Sequence, residues 1–570
     1  MEIKRLRHFW KYAFLFLGVF SITIISLAQT VPVGTPVLDD YIRRAQLLGL
    51  VDSSSSFMIR PLYPTEAFGV ENGFDIDGSV VDFDLSAVNK RFGSIEKKGK
   101  FLLMPAVYRM QYNSEYAFGV NDGAFIPNRG FQNSISLGAY VEYGNISLQF
   151  QPEYLMAKNQ DYIGFPIEHQ ATVLFYYEYM NRIDMPEQFG SDPFEQFYLG
   201  QSSLRYNFED ISIGVSTENL WWGPGRRNSL ILSNNAPGFL HGTINTRKPI
   251  QTQVGSFEGQ LISGFLKSTE FLPPLSDYTI QQNPVYVPKR EDGNRYLSGL
   301  VLTYQPKWVP GLFVGYSSVN HMYRSDVETF GDMIPIFNGR KGLYSVEDPI
   351  KAKRQQFSSG FFRWLSPQGR FEFYGEYGTR GNGVRLNDFL VTPESGRAFT
   401  FGFSHLVKFN NSDSYFQISS EMTQTGQTLR EDIRDLKSWY IHDHVKHGYT
   451  QEGQVLGAGN GPGSNVIFME FAWVKDFNRL GFQMERIVYN NDFYYYRYEG
   501  SKDFRNKYVD LVPSFVADWK LGGLLISARM QFVSTLNYKW FLENQPDEYF
   551  VPGFDRKNFI GQVGLTYIFK

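Results

Sequence analysis

Residues 101–113 read FLLMPAVYRMQYN, and the spacing of their apolar side chains decides the fold class. Leu102, Met104, Ala106, Tyr108, Met110 and Tyr112 all fall on even positions. In an extended chain these share one face, because successive β side chains point to opposite sides. The next two segments keep the period. In SISLGAYVEYG (134–144) the apolar set is Ile135, Leu137, Ala139, Val141 and Tyr143. In NISLQFQPEY (145–154), Ile146, Leu148 and Phe150 alternate with Ser147, Gln149 and Gln151. Similar segments recur near 252–267, 295–305, 311–319, 356–366, 371–378 and 398–408, and again near 413–424, 465–474, 479–489, 508–518, 523–534 and 559–569. Gly, Asn, Asp and Pro separate them. Strands of about ten residues with one apolar and one polar face cross a bilayer when they close into a barrel with a wet lumen.

Composition agrees. Aromatic residues make up 17% of the chain and charged residues only 20%. A soluble sandwich fills its core with Val, Ile and Leu, whereas an outer-membrane barrel places aromatics in two interfacial girdles. Connections are of two kinds: YGN (143–145) and FED (208–210) are tight turns, while 320–355 and 425–464 are long polar excursions. In the terminal GQVGLTYIFK, Val563, Leu565, Tyr567 and Phe569 alternate with Gln562, Gly564 and Thr566. An aromatic beside the last residue of such a strand resembles the signal read by the outer-membrane assembly machinery, here with Lys570 after it. Tyr567 and Phe569 are the expected assembly signal. The expectation is an all-β transmembrane protein, an antiparallel outer-membrane β-barrel of about sixteen to eighteen strands over residues 99–570.

The first 28 residues read differently. Lys4, Arg5, Arg7 and Lys11 precede the apolar run Tyr12 to Leu27, and Ser26-Leu27-Ala28 offers small residues for cleavage. This predicts a signal peptide (1–28), Sec-type export and cleavage near Ala28, with an uncleaved anchor as the alternative. Beyond it the chain carries 51 Lys+Arg against 57 Asp+Glu, a net charge of −6, which excludes a nucleic-acid footprint. Zero cysteines exclude a disulfide framework, thiol chemistry and a lipid-anchored N-terminus.

Residues 29–98 predict a short helical or irregular periplasmic portion. Thr35-Pro36 reads as an N-cap and first helical position, with Leu38, Tyr41, Ile42, Ala45 and Leu48 on one face and Gly49 as the stop. The run DIDGSVVDFD (75–84) lacks the spacing of a calcium loop and reads as a solvated turn. HQATVLFYYEYMNRIDMPEQF (169–189) fits either a helix or a strand with a long excursion. His442, His444 and His447 read as a solvated cluster more readily than as a metal site. No G-x-S-x-G, H-E-x-x-H or P-loop motif occurs, so neither enzyme activity, nor a metal, nor a cofactor is expected.

One stretch, ENLWWGPGRRNSLILSNNAPGF (218–239), carries recognition chemistry. Trp221 and Trp222 supply flat apolar faces, Arg226 and Arg227 forked cations, and Asn228, Asn234 and Asn235 paired donors and acceptors of the kind sugar hydroxyls need. Gly223-Pro224-Gly225 sets a tight turn. These groups suit an acidic polysaccharide, and they equally suit a structural insert with girdle tryptophans and arginines ion-paired in the lumen.

That stretch, together with HGYTQEGQVLGAGNGPGSN (447–465) and LDDYIRRAQLLGL (38–50), resembles the capsule assembly protein Wzi family. The resemblance runs over essentially the whole chain after the signal. It implies an eighteen-stranded outer-membrane barrel with lectin-like behaviour that helps hold or assemble capsular polysaccharide at the surface. The candidate carbohydrate-binding residues, chosen on their own chemistry, are Trp221, Trp222, Arg226, Arg227, Asn228, Asn234, Asn235, His447 and Tyr449. Expected partners are capsular or exopolysaccharide, outer-membrane lipid and the assembly machinery, with the barrel a monomer. The alternative is a general outer-membrane pore with an open, charge-lined lumen.

Overall fold

A computed structural model describes residues 29–35, 37–68, 73–74, 99–166, 169–269, 271–272, 279–280, 283–284, 292–333, 353–380, 390, 396–410, 412–427, 438–498, 507–541 and 554–569. The signal segment and the aspartate-rich run 75–84 lie outside the described residues.

Alternation of apolar and polar side chains gives, among the described residues, eighteen antiparallel strands closed on themselves. They begin with β1 (Gly99–Asn113), β2 (Gly130–Tyr143), β3 (Ile146–Phe150 continuing as Glu153–Ala157), β4 (Phe194–Tyr198 continuing as Ser203–Phe208), β5 (Ile211–Ser216) and β6 (His241–Thr246 continuing as Ile250–Gln251). Next come β7 (Gly255–Leu266), β8 (Arg295–Pro306), β9 (Leu312–Tyr323), β10 (Arg354–Ser366), β11 (Phe371–Arg380) and β12 (Arg397–Lys408). The last six are β13 (Tyr415–Gln424), β14 (Asn465–Lys475), β15 (Asn478–Val488), β16 (Val509–Leu521), β17 (Leu524–Leu536) and β18 (Arg556–Tyr567). β1 closes on β18, from Ala106 opposite Tyr567 to Asn113 opposite Ile560, so the sheet keeps no free edge. The alternating segments of the sequence fall on fifteen of these strands. β4, β5 and β6 lie outside those segments, and the turn at 208–210 marks where β4 meets β5.

The faces are inverted relative to a soluble protein. Leu204 is 49% exposed on the outside while its neighbour Arg205, facing in, is 2% exposed. Met530 (51%) and Gln531 (4%) repeat the pattern on the far wall. So continuous an apolar exterior is a lipid surface. Two-residue turns at 144–145, 209–210, 476–477 and 522–523 gather at one rim. Trp473 and Trp519 stack at that rim with centroids 6.3 Å apart, and the Tyr567 and Phe569 rings meet there at 5.1 Å. The long connections leave from the opposite rim.

The N-terminal segment enters the lumen from the short-turn mouth. Helix α1 (Leu38–Leu47) starts two residues later than the Thr35 cap predicts. Val37, at φ 73°, holds the N-cap position, and the Thr35 hydroxyl donates instead to the Pro32 carbonyl at 2.8 Å. Gly49, at φ 70°, follows its end as expected. Leu38, Tyr41, Ile42 and Ala45 are buried, but so are Arg43, Arg44 and Gln46, because the barrel surrounds the helix on its polar side too. Tyr41 stacks on Phe477, in a short turn, at 3.6 Å. The helix α2 (Pro64–Phe68) follows. The ambiguous stretch 169–189 resolves to a helix, α3 (Gln170–Met180), which packs against α4 (Asn491–Tyr498) through Tyr176 and Phe493 at 5.3 Å.

Candidate functional site

The connection from β5 to β6, residues 217–240, turns inward and meets the N-terminal segment inside the barrel. Trp221–Trp222 pairs antiparallel with Ile59–Arg60, and the Gly223 amide donates to the Met58 carbonyl at 2.9 Å. The predicted tight turn caps α1 from above: Arg43 donates to the Pro224 carbonyl at 2.7 Å and the Gly225 carbonyl at 3.2 Å. Beyond the turn, Glu421 of β13 accepts the successive backbone amides of Arg226 (2.6 Å), Arg227 (3.0 Å) and Asn228 (2.7 Å). A wall carboxylate thus fixes the loop by its backbone and leaves the arginine side chains to their own partners.

Ion pairs then tie plug, loop and wall together. Arg226 and Arg44 both pair with Asp40 of α1, and Arg479 approaches the same carboxylate at 3.5 Å. Burial alone would push the Asp40 carboxyl up, but Arg479, Arg44 and Arg226 hold it well below the usual carboxylate range. Arg227 makes a forked pair with Glu485 of β15, at 3.1 and 3.0 Å. Arg43 and Arg363 share Glu372, each at 2.8 Å.

The nine candidate side chains divide between two surroundings. Trp221, Arg226, Arg227 and Asn234 line one cavity of about 290 Å³ in mid-lumen. The other five lie outside that lining. Trp222 is fully buried: its indole N–H donates to Gln260 at 2.8 Å, and its ring lies against Gly299 of β8, where a Cβ would come within 2.9 Å of it. Asn228 donates to Thr423 (3.3 Å), and Asn235 donates to the Val455 carbonyl (3.0 Å). His447 hydrogen-bonds Tyr323 at 2.9 Å, and Tyr449 stacks on Tyr440 at 6.0 Å. The second motif segment touches the first through Ser233, whose amide donates to the Leu456 carbonyl at 2.8 Å, but its His447 and Tyr449 stand away from the cavity. His442 and His444 lie in an irregular segment. His444 bonds Asp326 at 2.9 Å, and among the described residues no three His, Cys, Asp or Glu side chains cluster as a metal site.

Sequence reasoning missed much of the cavity wall. Seven arginines and four aspartates line it, and glutamates of the wall pair with Arg43, Arg109, Arg227 and Arg479 as well. Arg60 lies over the Trp221 ring at 4.2 Å, and Arg109 over Phe125 at 4.4 Å. Arg529 points inward from β17, and the alternation that sends Met530 outward was the signal that could have found it. Arg60 had no such signal, because its segment is irregular.

The family model for capsule assembly protein Wzi matches residues 118–494. Among solved structures, the Escherichia coli outer membrane protein Wzi is described as involved in group 1 capsule assembly and as a carbohydrate-binding β-barrel. It aligns over 95% of this chain and 100% of its own, with TM-score 0.57 and 13% identity, a likeness of fold. Pseudomonas aeruginosa OccK8 (OprE) aligns over 83% of this chain and 98% of its own, at TM-score 0.37 and 8% identity. Acinetobacter baumannii OccAB2 covers the same shares at TM-score 0.39 and 9% identity. No curated protein matches the sequence. With its model matched over more than half of the sequence and the eighteen-stranded barrel in place, the chain belongs to the capsule assembly protein Wzi family of outer-membrane β-barrels.

Proposed function

We propose that this barrel binds acidic capsular or exopolysaccharide and anchors it at the cell surface, acting by binding and not by catalysis. The observation that carries the reading is the filled lumen. Among the described residues an inward loop and an N-terminal plug meet in mid-barrel around an arginine-rich chamber, where a general pore would need a continuous aqueous path. Trp221, Arg226, Arg227 and Asn234 are the candidates placed to touch a sugar. Trp222, Asn228, Asn235, His447 and Tyr449 are proposed to hold the frame around them. We also assign Tyr567 and Phe569, at the closing strand and the short-turn rim, to the signal recognised during assembly. Residues 29–98 form the periplasmic-side element after export and cleavage near Ala28, and the barrel acts as a monomer.

The test is deletion of the protein from its own cells, with cell-bound and shed polysaccharide measured separately. The bound fraction should fall and the shed fraction rise at unchanged total synthesis, and the intact chain should restore both. An unchanged bound fraction would overturn the role.

A further inference from the structure

We propose that the mid-lumen chamber is a pocket for one uronate unit, a sugar ring bearing a carboxylate, and that Arg529 receives that carboxylate. The inference rests on the glycan-binding reading and names the ligand class for its site.

Three observations converge on it. Arg529 has neither an ion pair nor a hydrogen bond among the described residues, although it lines the same chamber as Arg226, Arg227 and Arg479, each of which is tied to a carboxylate. Asp122 and Glu485 act on it only from beyond ion-pair contact, a guanidinium enclosed in a protein lumen without a paired carboxylate is costly, and the forked cation is shaped for one. The second observation is a set of buried polar atoms with no partner on residues that line the same space. The Trp221 indole N–H and the Arg60 Nε–H lack acceptors, and the Asn121 Oδ1 lacks a donor. Buried donors and acceptors normally find partners, so a cluster of orphans on one cavity marks a ligand position. Unpaired donors beside an unpaired acceptor match hydroxyl groups, which both give and take hydrogen bonds. The third is size. At about 290 Å³ the chamber exceeds what a small inorganic anion fills and sits at the lower end of organic-ligand pockets, with room for a sugar ring.

Binding is measured on the purified full-length barrel in detergent micelles, by calorimetry with sodium glucuronate, glucose and sodium sulfate as probes. Wild type should bind glucuronate saturably, with glucose and sulfate at least about tenfold weaker, since one lacks the charge and the other the hydroxyl pattern. Arg529→Gln should weaken glucuronate about tenfold or more while the unboiled protein keeps its fast gel mobility. Arg529→Lys retains the charge without the fork and should fall between. It also keeps the test open if the glutamine variant does not assemble. Equal glucuronate affinity in wild type and variants, sulfate as tight as glucuronate, or no glucuronate binding by wild type would each overturn the proposal. Glucuronate failure with polysaccharide still retained on cells would sink the uronate pocket alone. Loss of both would sink the glycan role with it.

Discussion

Trp221 and Trp222 are buried neighbours in the chain with different partners. Trp222 is sealed among lumen side chains such as Leu230, Leu297 and Val301, its N–H satisfied by Gln260. Trp221 lines the chamber beneath Arg60 with its N–H unpaired. Truncating a fully packed indole leaves a cavity and strands Gln260, a loss of about 3–5 kcal/mol of local stability. Trp222→Ala should therefore lower the temperature at which the fast-migrating folded band disappears from an unboiled gel. Trp221→Phe keeps an aromatic face under Arg60 and removes an N–H with no acceptor, so that temperature should fall clearly less. Equal shifts would contradict the division. The sequence names both tryptophans as unusual but cannot separate them, because their difference depends on which side of a two-residue strand meets Ile59–Arg60.

At the scale of elements, α1 is where plug and loop are joined. Its helical period and its Gly49 stop are legible in the sequence; the burial of its polar face is not. An amphipathic helix has the same pattern whether its charged side meets water or the charged inner wall of a barrel. Asp40 makes that difference physical by serving Arg44, Arg226 and Arg479 at once. Removing one partner of a buried ion pair costs about 3–5 kcal/mol, and less here because Asp40 keeps 19% of its side-chain exposure. Asp40→Ala should loosen the plug within an intact barrel, and trypsin should then cut at Arg43 and Arg44, which docking buries. The pH dependence has a definite sign. Docking holds the Asp40 carboxyl below its free value of 3.8, so its contribution is complete above that pH and fades as pH falls further. Asp39 opposes this, since burial raises its carboxyl and protonation favours docking. Planar-bilayer conductance of wild type should stay flat from about pH 7 to 5 and rise below 3.8, with no such rise in Asp40→Ala. A wild-type rise already near neutral pH would assign the loosening of the plug to other groups.

For the whole molecule, the period of two carried nearly everything about the fold. It located fifteen strands, the long excursions and the closing strand because lipid and lumen impose opposite demands on adjacent residues. The chamber was harder to see. Trp221, Arg226 and Asn234 line it together only because residues 217–240 fold inward, and no local pattern encodes that path. The same opposition gives the sharpest test of the membrane assignment. Met530, at the middle of β17, stands opposite Phe515 and Gly561 and is 51% exposed on the outer face. On a soluble protein, a half-exposed Met changed to Arg would shift stability by no more than about 0.5 kcal/mol, since water solvates the charge. At the bilayer midplane the same change costs about 2–4 kcal/mol. Met530→Arg should therefore reduce the amount of heat-modifiable barrel recovered from outer membranes, whereas Met530→Leu should match wild type. Recovery of Met530→Arg at the wild-type level would place this face in water and remove the basis for reading the alternating exterior as a lipid surface.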